Sequence, residues 1–175
     1  MPITIAEPIS GVPDMCYRVL IRTIDHKPSK SGAPMTTLGV QILSPDRVTL
    51  PDGRTADTAG IEGKIYISFS ERALGFAKRG LRKLGVPVEQ IEATVNSVPE
   101  YVTAVQRHLD GLQSMTFEMR VTTEAAQPLK GADGQPMTDS NGHPILGNPQ
   151  TRFDHGNIVG NLVPLSALGV SAPAY

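Results

Sequence analysis

"KIYISFSERALGFAKRGLRKLGV", residues 64–86, changes period in its middle, and the fold turns on that change. Ile65, Ile67 and Phe69 alternate with Lys64, Tyr66 and Ser68, the two-residue period of a strand with one buried and one wet face. Beyond Ser68 the apolar residues recur at Leu74, Ala77, Leu81 and Leu84, the spacing of a helix, until Gly85 and Pro87 stop it. Ser68 and Glu71 have capping-box spacing, which predicts a helix entered directly from the strand. The polar side of that helix carries Arg72, Lys78, Arg79, Arg82 and Lys83. Charge runs on amphipathic helices can contact phosphates, although most are only a solvated face.

Upstream the chain reads as β. "CYRVLIRTI" (16–24) predicts a strand with Tyr17, Val19, Ile21 and Thr23 on one side and Arg18, Leu20 and Arg22 on the other. "DHKPSKSGAP" (25–34) is a hairpin-type loop, because Pro28, Gly32 and Pro34 forbid a regular ladder. "MTTLGVQIL" (35–43) is a second strand, and 44–60 a turn-rich excursion with a short ribbon. Downstream, "VEQIEATV" (88–95) is a short acidic helix. Another starts at "SVPE" (97–100), where Pro99 suits a first turn and Val102, Val105, Leu109 and Leu112 form an apolar stripe. "MTFEMRVTT" (115–123) returns to strand periodicity. Residues 129–150 hold two tandem G-x-P-hydrophobic turns, and 151–165 read as a last strand or pair of strands.

Composition bounds the class. Hydrophobic residues at 39% and charged ones at 19% are a globular balance, while 17 Gly and 15 Pro imply many turns. The single cysteine, Cys16, excludes an intramolecular disulfide and points to a reducing compartment. No stretch approaches the roughly 20 apolar residues of a membrane span, and the N-terminus lacks a basic-then-apolar leader pattern. The expectation is a soluble cytoplasmic protein with no membrane partner.

Net charge is −1, but it is unevenly spread: residues 17–83 hold 12 Lys/Arg against 6 Asp/Glu, so a neutral chain can carry a basic face. Enzyme chemistry finds little footing. His26, His108, His143, His155 and Cys16 lie in unrelated contexts, without C-x-x-C, H-E-x-x-H or a nucleophile elbow. "DSNG" (139–142) resembles the start of a calcium loop, but Gln150 stands where the bidentate Glu belongs. The expectation is a non-enzyme with no cofactor and no metal.

Cations and rings on the strands point elsewhere. Arg18, Arg22, Lys64, Tyr66, Arg120, Arg152 and Phe153 would stand on the solvent side of a sheet, with Lys27 and Lys30 in the first loop. Single-stranded nucleic acid needs that combination, cations following phosphates while rings stack bases. Tyr66 and Phe153 are the expected stacking rings, whereas Phe69, Phe117 and Tyr17 are expected in the core.

Three strands, a helical insertion and two more strands is the order of an OB-fold, a five-stranded Greek-key barrel. The assignment is 16–24, 35–43 and 64–70, helices over 70–111, then 115–123 and 151–163. This predicts a mainly β single domain over 1–175, with a helical insertion at about 70–112, a long hairpin or loop at about 125–150 and an apolar tail at 164–175. The opening Tyr17, Val19, Ile21, then Lys27, Ser29, Lys30, Ser31, Gly32, Pro34 and Met35, resembles that of small bacteriophage single-stranded DNA-binding proteins with this fold. The resemblance covers roughly 16–125, extending more loosely to "RALGFAKRGLRKLGV" and "LDGLQSMTFEMRVTTE". It implies sequence-tolerant binding of single-stranded DNA in phage-type replication or recombination in the host cytoplasm. Homo-oligomerisation and contacts with replication or recombination proteins go with it. Many such proteins end in an acidic recruiting tail, whereas "VPLSALGVSAPAY" has no acid. The alternative expectation is a virion structural or assembly protein using the 129–150 hairpin and the tail for subunit contacts.

Overall fold

A computed structural model describes residues 14–49, 52–124, 129–145 and 150–168, so part of the 125–150 hairpin and most of the tail lie outside the described residues. Strands β1 (Met15–His26), β2 (Met35–Ser44) and β5 (Glu62–Ser68) form an antiparallel meander, with a two-stranded ribbon of β3 (Arg47–Thr49) and β4 (Thr55–Asp57) between β2 and β5. Helices α1 (Leu74–Lys83), α2 (Val88–Thr94) and α3 (Val98–Asp110) follow, then β6 (Met115–Glu124), β7 (Gln150–Arg152) and β8 (Ile158–Pro164). β6 pairs with β1 on one side and with both β7 and β8 on the other. β7 and β8 are therefore two halves of one last strand, interrupted by a 3₁₀ turn at His155–Asn157.

The sheet order β5-β2-β1-β6-β7/β8 leaves β5 and the last strand as the two edges. Phe153, directly after β7, draws them together by lying against Gly63 of β5, where a Cβ would overlap its ring. The result is a nearly closed antiparallel barrel with helices between its third and fourth long strands, an OB-fold-like Greek key.

The inside of the barrel is apolar. Tyr17, Val19 and Ile21 from β1, Leu38, Val40 and Ile42 from β2, Ile65 and Ile67 from β5, and Phe117, Met119 and Val121 from β6 pack together. The helical insertion extends this core through Ala77, Leu81, Leu84, Val105 and Leu109. Alternation sets which residues enter, and one position departs from it. A register shift between Ile21 and Thr23 turns Thr23 outward, where its hydroxyl occupies the space above Gly39. The bulge gives β1 one extra residue, so Ile24 and His26 return to the inner side opposite Leu38 and Thr36.

One helix start differs from the sequence reading and another follows it. α1 begins at Leu74 with no side-chain cap, and Ser68 Oγ instead accepts the Ser70 N–H at 3.3 Å, so the Ser68/Glu71 box is not made. At α3, Ser97 Oγ does accept the Glu100 N–H, while Glu100 reaches back to the Asn96 N–H rather than to Ser97. Pro99 sits within the first turn there.

Candidate nucleic-acid interface

The outer face of the barrel is built in rows by strand register. Lys64, Gly39 and Thr23 lie side by side across β5, β2 and β1, and Tyr66, Thr37 and Asp25 form the next row. Towards the other end come Glu62, Gln41, Leu20 and Thr116, then Arg18 beside Glu118, then Cys16 beside Arg120. The rows of Lys64 and Arg120 meet β1 seven residues apart, at Thr23 and Cys16, which is roughly 23 Å at about 3.3 Å per residue. The expected cations thus share an outer surface but not one locus.

Lys64 and Tyr66 stand alone together. Both project outward from β5, Tyr66 with 55% of its surface exposed, and Lys64 has no ion-pair partner among the described residues. A shallow groove of about 450 Å³, lined by Arg22, Thr23, Gly39, Glu62 and Lys64, runs beside them. At the same end the 27–34 loop folds back on itself through Ser29 N–H to Ala33 O at 2.8 Å and Gly32 N–H to Ser29 O at 2.9 Å. Its exit is tied to the end of β5 by Phe69 N–H donating to the Pro34 carbonyl at 2.9 Å. The base of the loop is anchored to α3 through His26, whose ring bridges Thr36 Oγ1 at 2.8 Å and Asp110 Oδ1 at 2.6 Å. Lys30 projects from this braced loop with no ion-pair partner among the described residues, and exposed Lys27 lies 3.4 Å from Asp25. An exposed pair of that length is worth little and exchanges readily for a phosphate.

Three expected contacts are placed differently. Arg18 Nη1 donates to Thr116 Oγ1 at 3.1 Å and to the Asn161 carbonyl at 3.0 Å, and Nη2 donates to Glu118 at 2.9 Å. It joins β1, β6 and β8 and is a structural cation. Arg22 pairs with Glu62 at 2.8 Å. Phe153 is only 7% exposed, packed in the barrel against Gly63, so it is a core ring and not a stacking platform. Arg120 is exposed beside Cys16, seven residues along β1 from the Lys64 row, and Arg152 is exposed at the end of β7, opposite Thr122 and next to Phe153, whose ring lies on Gly63. Tyr17, 1% exposed, is core as expected, and burial pushes its phenol up to about 12, with Asp14 adding to the shift.

Charge pairing sharpens the picture. Of the twelve cations in residues 17–83, Arg18, Arg22, Lys27, Arg47, Arg54, Lys78 and Arg82 have carboxylate partners. Lys64 remains at the sheet face, Lys30 in the 27–34 loop, Arg79 and Lys83 on α1 and Arg72 in the turn before it, without ion-pair partners among the described residues. Asp25, Glu62 and Glu118, the carboxylates in these rows, are each engaged by a cation, so the face has a positive remainder.

Sequence reasoning missed Phe76. It is 77% exposed, and the available signal was its position off the Leu74, Ala77, Leu81, Leu84 stripe, on the side of Arg72 and Arg79. Among the described residues no three His, Cys, Asp or Glu side chains come together as a metal set, and no helix is long and apolar enough to cross a membrane. No protein-family model matches the chain, and no curated protein is significantly similar to it.

Proposed function

We propose that the protein binds single-stranded DNA without strong sequence preference, across the outer face of β2 and β5 and the 27–34 loop, as part of a phage-type replication or recombination system. The observation that carries this reading is the pairing of an exposed ring, Tyr66, with a cation that has no ion-pair partner among the described residues, Lys64, at successive outward positions of one strand. Lys64, Lys30 and Lys27 would neutralise phosphates while Tyr66 stacks a base, an arrangement supported by the positive remainder of the face. Three such contacts give a log–log salt slope of about −2 for a single strand. Titrating labelled poly-dT at two salt concentrations tests this. Affinity should fall on raising salt, and absence of binding at low salt would refute the proposal.

A second reading, an assembly role in a virion, has one observation in its favour. Leu129, Met137 and Ile145 recur at eight-residue spacing in the tandem turns and join their backbones in a cycle, Met137 N–H to Leu129 O, Ile145 N–H to Met137 O and Leu129 N–H to Ile145 O, each at 2.7–2.9 Å. Leu129 and Met137 remain 43% and 44% exposed. A mass that rises with protein concentration in light scattering, and falls back on replacing Leu129 and Met137 by Ser, would support it. A concentration-independent monomer would count against it.

A further inference from the structure

Helix α1 has two basic flanks with different fates. On one, Lys78 pairs with Glu92 at 2.7 Å and Arg82 pairs with Glu89, so α2 neutralises it. On the other, Arg72, Arg79 and Lys83 are exposed with no carboxylate partner among the described residues, and Phe76 lies among them. At 3.6 residues per turn Phe76, Arg79 and Lys83 fall within about 60° of the helix circumference, and Arg72 lies in the turn just before the helix. A core role does not explain a ring 77% exposed, since the buried stripe of this helix is Ala77, Gly80 and Leu81. Beside Phe76 and Arg79 a cleft of about 520 Å³ opens between α1 and the 154–156 turn. Its wall includes His155, whose Nδ1 is buried without a hydrogen-bond partner among the described residues, and Asp154, one of whose oxygens accepts the Gly156 N–H at 2.8 Å. The Asp154 carboxylate repels phosphate, so the cleft suits a base, with phosphates on the outer row of cations.

We propose that this face of α1 is a second single-strand contact, in which Phe76 stacks a base while Arg72, Arg79 and Lys83 hold phosphates of a strand arriving from the sheet face. The inference rests on the single-strand reading above and extends its footprint. Continuity is short: Tyr66 and Arg72 are six residues apart, at most about 22 Å even if that segment were fully extended. The chemistry repeats that of Lys64 and Tyr66, a ring beside exposed positive charge.

The test uses dT oligomers of two lengths, one of about 5 nucleotides that occupies the sheet face alone and one of about 16 that reaches the helix, within the range of a single OB-fold. Phe76→Ala should bind the short oligomer as the wild type does and the long one about 5- to 150-fold more weakly, the loss expected of one stacked base. Arg72→Gln/Arg79→Gln/Lys83→Gln should lower the salt slope on the long oligomer by about 2 and leave the short one unchanged. Lys64→Gln/Tyr66→Ala should weaken both lengths. If the helix variants bind both oligomers like the wild type while the sheet variant is weakened, the second contact is overturned and the sheet-face reading stands. If the helix variants weaken both lengths equally, α1 is not an extension of the sheet site and the inference also falls. If the wild type binds neither oligomer, both readings fall. Thermal midpoints confirm folding, and the triple Gln variant, altered only at exposed positions, keeps the test valid should Phe76→Ala perturb the helix.

Discussion

At the scale of single residues, cations that look equivalent in the sequence divide by what lies opposite them. Arg18 and Lys64 both sit on outward strand positions, yet Arg18 is held by Thr116, Glu118 and Asn161, and Lys64 by nothing described. Arg18→Ala should therefore cost about 1–2 kcal/mol of stability, at the low end for charged hydrogen bonds because Glu118 is partly in water, and change DNA affinity little. Lys64→Ala should do the reverse; denaturant melts beside DNA titrations separate the two. Gly63 supplies a second contrast. Because a Cβ there would enter the Phe153 ring, Gly63→Ala should destabilise by about 1–3 kcal/mol through overpacking, measured as a lower urea midpoint with unchanged slope. Neither distinction was legible in the sequence. The partners of Arg18 lie 98 to 143 positions away, and the close approach of Phe153 to Gly63 exists only once the barrel curls.

At the scale of elements, periodicity carried well and its local failures have physical causes. The switch from alternation at Ile65 and Ile67 to helical spacing at Leu74, Ala77 and Leu81 was readable because a strand and a helix bury residues at different intervals. Thr23 was misplaced because a bulge adds one residue to β1, and alternation cannot show where a strand slips. Thr116, on the nominally wet side of β6, is buried because Arg18 covers it and its hydroxyl donates to the Val163 carbonyl at 2.7 Å. The same junction makes stability depend on pH. The Asn161 amide and the Arg18 guanidinium hold the Glu118 carboxyl below the usual glutamate range. A carboxyl with a depressed native value stabilises fully above its unfolded value, near 4.3, and that contribution disappears as pH falls through the lower native value. Acidification below about pH 4.5 should thus loosen the β1–β6–β8 junction, and Glu118→Gln should flatten the acid limb of a stability-versus-pH curve. An acid limb identical to the wild type would remove Glu118 from this role.

At the scale of the molecule, fold and charge tell complementary stories. Strand order and the helical insertion place the chain in an OB-fold-like barrel, a fold that by itself assigns no ligand. Ion pairing narrows where a polyanion would sit. Seven of the twelve cations of residues 17–83 are in ion pairs within the chain, and the others gather at the loop and β5 and along one flank of α1. A near-neutral protein can in this way offer a local positive path, and its binding should then depend on a few charges rather than on the total. The most direct measurement is the salt slope of poly-dT binding for the wild type and for Lys30→Gln/Lys64→Gln. The account predicts a slope shallower by about 1.4 in the variant, with an unchanged thermal midpoint. An identical slope in both proteins would contradict it.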